Sequence, residues 1–197
     1  MSKILNRSRP ADFKLRSEGE AMYIEGYFVV FDQPYYIDDW YEERVDRGAF
    51  EGCDMSDVRA LMDHRTDMVL GRTTSNTLTL SIDDTGLFGS ILVNSADIDA
   101  VNLHARVQRG DVDQASFGFD EDSVTYDDLP DGRTRRTINS ISKLYEVSVC
   151  TFPAYEGTYV TARSSDAAEQ IRAEILALKK SKLKRRMKHH GTSRNRT

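Results

Sequence analysis

The sequence predicts an α+β protein that is rich in antiparallel β-strands and carries one clear helix in its main body. Short runs of Tyr, Ile, Val and Phe alternate with polar residues and stop at Asp, Gly and Pro, which is the pattern of strands and hairpins. Residues 94–109 change to a helical period. No apolar run approaches the ~20 residues that span a bilayer, so no membrane segment is predicted.

The N-terminal part of the chain predicts an arm, a strand and an irregular connection. Residues 1–20 are polar and basic without a sustained period, so they predict a flexible basic arm. Residues 22–31 are rich in β-favouring side chains and end at the turn residues Asp32-Gln33-Pro34, which predicts a strand. Residues 35–52 predict an irregular connection, with a short helix over residues 46–50.

Two strand segments follow. From Val58 onward apolar residues alternate with polar ones as far as His64, so a strand of this length places the imidazole at its end, half buried, on the apolar face. Residues 78–82 and 87–93 alternate in the same way on either side of Asp83-Asp84-Thr85-Gly86. This arrangement predicts a β-hairpin.

The helix over residues 94–109 has recognisable ends. Asn94 or Ser95 is suited to cap its start, and Gly110 is suited to end it. Its predicted apolar stripe consists of Ile98, Val101 and Ala105. The next strand covers residues 113–119, where Ser116 and Gly118 share one face; small residues on that face allow close approach of a substrate carbonyl.

A second hairpin turns at residues 130–132 and leads into the long strand 137–152. In this strand Glu146 lies among Val and Leu. Burying an unpaired carboxylate costs several kcal/mol, so we expect His64 or an arginine beside Glu146. Ser148 shares the face of Glu146 and is interpreted as a packing residue.

The length of 197 residues allows one sizeable core and a tail, so one folded domain with a C-terminal tail is predicted. The N-terminus lacks the apolar stretch of a secretory signal, so we expect the protein to stay in the cytosol where it is made. Cys53 and Cys150 lack the spacing of metal ligands, which predicts reduced, buried thiols and no metal site.

Charge divides the chain into an acidic body and a basic tail. Residues 163–197 carry eleven Lys and Arg against three acidic residues, a net charge of +8, which leaves −13 for residues 1–162 of the total of −5. The tail predicts an amphipathic helix with an apolar stripe, followed by a cationic segment. Such an asymmetry is typical of an interaction segment for an acidic partner.

Three polar residues in apolar runs, His64, Ser116 and Glu146, have the chemistry of a hydrolytic triad. A serine hydroxyl needs a neighbouring imidazole to take its proton, and a carboxylate that holds the imidazole in the useful tautomer. The intervals of 52 and 30 residues place no constraint on this assignment, because triad members meet through the fold. By spacing alone, the interpretation of each residue as an ordinary strand-edge residue is favoured over a catalytic one.

Several segments, in order, resemble the prohead protease family of tailed bacteriophages with HK97-type capsids. The matching segments are Asp63-His64-Arg65, Val69-Leu70-Gly71-Arg72, Asp84-Thr85-Gly86-Leu87, Ser116-Phe117-Gly118-Phe119 and the run from Glu146 to Tyr155. The resemblance spans roughly residues 21–162. It implies a closed β-barrel flanked by helices, as in the herpesvirus assembly proteases to which the family is related in fold.

The resemblance implies that Ser116 is the nucleophile, His64 the general base and acid, and Glu146 the group that orients His64. It implies a serine endopeptidase that acts in the host cytoplasm, inside the procapsid. Its partners would be the major capsid protein with its scaffold segment, or a separate scaffold, and the chain itself through self-cleavage in the flexible ends or tail. A homodimer is left open, and no cofactor is implied.

Two other function classes stay open from the residues alone. A non-enzymatic capsid scaffold or assembly factor would use the acidic body and basic tail only for binding. A nucleic-acid-binding module would use residues 179–196, although a body of −13 is repelled by phosphates. Cys150 as a thiol nucleophile is disfavoured, because a cysteine buried among Val and Thr is usually inert.

Overall fold

The computed structural model describes residues 5–18 and 21–152, together with the helical positions 173, 176, 177 and 180. The described strands are β1 (Leu5–Pro10), β2 (Lys14–Glu18), β3 (Ala21–Val30), β4 (Tyr35–Asp38), β5 (Tyr41–Val45), β6 (Arg59–Met62), β7 (Arg65–Arg72), β8 (Leu78–Ile82), β9 (Gly86–Val93), β10 (Gln114–Asp128) and β11 (Thr134–Cys150). The helix α1 covers Ile98–Arg109, and a short 3₁₀ turn covers Thr73–Ser75. No helix in these ranges is long and apolar enough to cross a bilayer.

The larger sheet has seven strands and is organised around β11. Its order is β1-β10-β11-β5-β4, and β6 pairs with both β11 and β7. The first five residues of β11 pair in parallel with β5, and residues near its end pair in parallel with β6. Because β11 is 17 residues long, it has room for both neighbours on one edge while β10 occupies the other. The strands β10, β11 and β6 therefore lie side by side.

The smaller sheet has four strands in the order β2-β3-β9-β8. Strands β8 and β9 pair in antiparallel fashion, which confirms the hairpin predicted from the alternating sequence. Gly86 opens β9 against β3, where a Cβ at that position would lie only 1.9 Å from the carbonyl oxygen of Val29. One apolar cluster includes residues of both sheets and of α1, among them Phe28, Leu103 and Phe117.

The helix is where the sequence predicts it, but its cap and its buried face differ. Asp97 caps the start, with its carboxylate accepting hydrogen bonds from the backbone N–H groups of Asp99 and Ala100, while Gly110 ends the helix with a φ of 82° as predicted. The buried residues are Ala100, Leu103 and Val107. Ile98, Val101 and Ala105 each precede a buried residue by two positions, which is more than half a helical turn. The predicted buried face is therefore wrong, and Ile98 is 77% exposed.

Other elements also differ from the sequence prediction. The arm predicted over residues 1–20 contains β1 and β2, because backbone pairing with β10 and β3 orders segments that have no apolar period of their own. The irregular connection predicted over residues 35–52 contains β4 and β5, and residues 47–50 form turns rather than a helix. Hydrogen bonds to a neighbouring strand stabilise the extended backbone of these segments, although their own sequences carry no strand pattern.

The closed barrel expected from the resemblance is not found among the described residues. Hydrogen bonding divides the strands into two sheets, because β11 takes β10, β5 and β6 as partners while β3 pairs only with β2 and β9 of the described strands. The predicted C-terminal amphipathic helix and basic tail lie outside the described residues except at residues 173, 176, 177 and 180.

Candidate active site

His64 lies in a two-residue turn and not in the strand that the sequence predicts. The strands β6 and β7 pair from Met62 to Arg65, and the two residues between them, Asp63 and His64, both have positive φ, 50° and 59°. This is the backbone of a type I′ hairpin turn, which favours residues that tolerate the left-handed region; Asp and His are among them. The turn aims the imidazole back over the sheet, with its side chain 23% exposed.

The turn is bonded to the end of β11. The backbone N–H of Asp63 donates to the carbonyl of Val149 at 3.1 Å. The Asp63 carboxylate accepts from both the backbone N–H and the hydroxyl of Thr151, at 2.8 and 3.0 Å. These bonds offset the cost of positive φ at two non-glycine residues. The position of His64 is therefore set by β11 rather than by its own strand.

Glu146, on β11, reaches the imidazole. Its Oε1 lies 2.7 Å from Nδ1 of His64. The predicted need of this carboxylate for a polar partner is therefore met by His64. Since a carboxylate only accepts hydrogen bonds, the neutral imidazole must carry its proton on Nδ1 in this contact. That tautomer leaves Nε2 with its lone pair available to accept a proton.

The second imidazole nitrogen is buried and unused. Nε2 of His64 has no hydrogen-bond partner among the residues that the structure describes. An unpaired buried polar atom costs about 1–3 kcal/mol, so such atoms in native proteins call for an explanation. A nitrogen that accepts the proton of a nucleophilic side chain when substrate is bound is one such explanation.

The Ser148 hydroxyl forms hydrogen bonds with both His64 and Glu146. It donates to Oε2 of Glu146 at 2.5 Å and accepts from the backbone N–H of His64 at 3.3 Å. Its Oγ also lies 3.4 Å from Nδ1 of His64. The interpretation of Ser148 as a packing residue is therefore wrong. The signal in the sequence was its placement two residues from Glu146 on the same strand face.

Ser116 lies on the neighbouring strand, directly opposite Ser148. Directly opposed residues of antiparallel strands have Cβ atoms about 4.5–5.5 Å apart on the same face of the sheet. Gly118 stands opposite Glu146 in the same register. Ser116 is fully buried. The three predicted site residues thus come from β10, from β11 and from the turn after β6, which are adjacent in the sheet.

The cations near Glu146 are engaged elsewhere. Arg59 is the parallel partner of Glu146 in the register, yet its guanidinium contacts Asp57 at 3.4 Å. Asp57 also binds Arg72 through two bonds of 2.6 and 2.7 Å, and this side-chain hydrogen bonding holds the pKa of Asp57 below its usual range. Among the described residues, His64 is the one partner of Glu146 whose side chain can carry a positive charge.

Neither thiol has the surroundings of a nucleophile. Burial raises the pKa of Cys53 to about 11, so its thiol stays protonated at neutral pH. Cys150 is buried at the end of β11, and the two cysteines form no disulfide. The described residues also contain no cluster of His, Cys, Asp and Glu arranged to hold a metal ion.

Comparisons with known proteins show the family of this chain and a solved structure of similar fold. Residues 11–172 match the family described as caudovirus prohead serine protease. The chain is 31% identical over 166 residues to the prohead protease of Enterobacteria phage HK97, an alignment covering 82% of this chain and 69% of that protein. Its fold is similar to that of the bacteriophage T4 capsid assembly protease gp21, with a TM-score of 0.50, 12% identity and coverage of 77% of this chain and 98% of the other. The chain belongs to the caudovirus prohead serine protease family.

Proposed function

We propose that this chain is a serine endopeptidase of virion assembly in which Ser116 is the nucleophile, His64 the general base and acid, and Glu146 the carboxylate that orients His64. The observation that carries the proposal is the 2.7 Å contact between Glu146 and Nδ1 of His64, with Nε2 buried and unpartnered in the described chain. One nitrogen is fixed by a carboxylate and the other is left for a proton, as triad chemistry requires.

The chemistry follows from this arrangement. The Ser116 hydroxyl attacks the scissile carbonyl carbon, and its proton passes to Nε2 of His64. Glu146 stabilises the imidazolium, which then returns the proton to the departing amine as the peptide C–N bond breaks. Water, deprotonated by the same nitrogen, hydrolyses the acyl-enzyme and regenerates Ser116.

The choice of Ser116 over Ser148 rests on which imidazole nitrogen each hydroxyl serves. Ser148 stands on the Nδ1 side, and its proton is donated to Glu146. A nucleophile has to give its proton to the nitrogen that the carboxylate does not hold. Ser116 is the next hydroxyl on the same face, one strand spacing away.

The substrate proposed is the scaffold segment of the major capsid protein, or a separate scaffold protein, within the procapsid in the host cytoplasm. The support is the family and the functions of two similar proteins, a prohead protease and a capsid assembly protease. Self-cleavage is part of the proposal.

The test is co-expression with the major capsid protein of the same virus, comparing the wild-type chain with Ser116→Ala. The matched control is Ser123→Ala, an exposed serine on the same strand. We expect the wild type and the control to shorten the capsid protein and themselves, and Ser116→Ala to do neither. Gel electrophoresis and intact-mass measurement follow both products.

Three outcomes separate the alternatives. Processing that persists in Ser116→Ala overturns the nucleophile assignment. Particles that assemble with no processing by the wild-type chain favour the non-enzymatic scaffold. Loss of processing in Ser123→Ala as well would show that the assay reports folding rather than chemistry.

A further inference from the structure

We propose that Ser148 is a positioning residue of this site, which holds Glu146 and the His64 turn in the relative arrangement that the base requires. The inference rests on the proposed function and extends it to a residue outside the triad. Ser148 is fully buried, and its hydroxyl contacts both members of the His64–Glu146 pair.

The first contact fixes the carboxylate. Glu146 uses Oε1 for the imidazole and Oε2 for the Ser148 hydroxyl, at 2.7 and 2.5 Å. With both oxygens bonded, the carboxylate plane cannot rotate without breaking one charge-assisted bond. Orientation of the imidazole by Glu146 therefore depends on the hydroxyl of Ser148.

The second contact fixes the backbone that carries the base. The backbone of His64 has a φ of 59°, and its N–H donates to Oγ of Ser148 at 3.3 Å. A hydroxyl accepts and donates at once, so one side chain satisfies both the turn and the carboxylate. An apolar residue at this position leaves a buried N–H and a buried carboxylate oxygen each short of one bond.

The register gives Ser148 a third relation. It is directly opposite Ser116, so its side chain lies beside that of the proposed nucleophile on the same face of the sheet. A change in side-chain volume at position 148 therefore also acts on the surroundings of Ser116. For this reason the decisive variants must share a shape and differ only in the hydroxyl.

Threonine and valine form that pair. Ser148→Thr and Ser148→Val add the same bulk to a strand position that suits β-branched residues, but only threonine keeps the hydroxyl. We expect Ser148→Val to process capsid protein about 10- to 100-fold more slowly than Ser148→Thr, because valine leaves the Glu146 carboxylate and the His64 N–H each without one hydrogen bond. Ser142→Ala, an exposed serine of the same strand, is the control and should match the wild type.

A spectroscopic readout distinguishes positioning from general stability. The Nδ1 proton of His64, hydrogen-bonded to Glu146, is observable by proton NMR, with the line assigned through its loss in His64→Gln. We expect this line to persist in Ser148→Thr and to shift or broaden in Ser148→Val. The backbone amide resonances of both variants should keep the dispersion of a folded protein.

The results that overturn the inference are specific. Equal processing rates in Ser148→Thr and Ser148→Val, with an unchanged Nδ1 resonance in Ser148→Val, remove the role of the hydroxyl even if both variants are slower than wild type. If Ser116→Ala is inactive in the same assay, the proposed function survives that failure. If Ser116→Ala is active and both Ser148 variants are inactive, Ser148 is the nucleophile and both proposals fall.

Discussion

Replacing Glu146 with glutamine changes one charge with almost no change in shape, so it tests the site without opening a cavity. In the native site the carboxylate accepts two hydrogen bonds, one from Nδ1 of His64 at 2.7 Å and one from the Ser148 hydroxyl at 2.5 Å. An amide offers one acceptor and one donor group. One of the two hydrogen bonds must therefore be lost or reversed.

Both orientations of the amide damage the base. If its oxygen faces Nδ1, the tautomer is kept but the imidazolium formed during catalysis has no anionic partner. If its NH₂ group faces Nδ1, the imidazole proton moves to Nε2, and the nitrogen that should accept the serine proton is blocked. The same substitution at a solvent-exposed carboxylate away from the site does not affect the tautomer or the charge of His64.

The magnitude follows from the contacts. A charge-assisted hydrogen bond contributes about 1.5–3 kcal/mol, and two unit charges ~4 Å apart interact by up to about 4 kcal/mol at an effective dielectric constant of ~20. Each ~1.4 kcal/mol of transition-state stabilisation is a factor of ten in rate. We expect Glu146→Gln to slow capsid processing by about 10³- to 10⁴-fold, approaching the loss of about 10⁴-fold that follows when the aspartate of a serine protease triad becomes asparagine.

The assay is a time course of capsid protein processing after co-expression, with the thermal midpoint of each purified variant measured alongside. Glu51→Gln, which changes an exposed carboxylate outside the site, is the control and should process at the wild-type rate. A Glu146→Gln variant that is folded and processes within tenfold of the wild type would refute the orienting role of Glu146.

Three further predictions concern the turn, the second sheet and the thiols. Asp63→Val removes the acceptor for both Thr151 donors and puts a β-branched residue at a φ of 50°, so processing should fall at least about tenfold, while Asp63→Asn keeps the acceptor and should stay active; equal activities would contradict this reading of the turn. Gly86→Ala places a Cβ 1.9 Å from the carbonyl oxygen of Val29 and should lower the free energy of unfolding by about 1–3 kcal/mol or more in urea denaturation, and an unchanged midpoint would count against it. Burial raises the pKa of Cys53 from 9.0 to about 11, so at pH 8 its thiolate fraction falls about 100-fold and iodoacetamide should label it far more slowly in the native chain than in urea; similar rates in both would show an accessible thiol.

Local patterns were sufficient for elements whose residues carry their own signal. The hairpin of β8 and β9 follows from alternation around a strong turn, and the end of α1 follows from a glycine suited to positive φ. The start of α1 could not be read in the same way, because Asn94, Ser95 and Asp97 all have capping side chains. Which of them caps depends on where the chain leaves β9.

The sequence by itself determined the chemical types available to the site, and also that a carboxylate in an apolar strand needs a polar partner. His64 is that partner, at 2.7 Å. Only the tertiary structure decided how they meet. The parallel pairing of β6 with the end of β11 is a non-local contact, and it places the His64 turn over Glu146 and Ser148.

The same non-local pairing explains what the sequence concealed. A strand continuing to residue 64 satisfies the alternation of apolar residues equally well. A turn with positive φ is favoured because Asp63 donates a backbone hydrogen bond to Val149 and accepts one from Thr151. Ser148 looks like a small core residue along its strand, and it becomes a polar bridge only when the turn is placed above it. Alternation along a strand records which side chains are buried, whereas the partners they meet are set by strands distant in sequence.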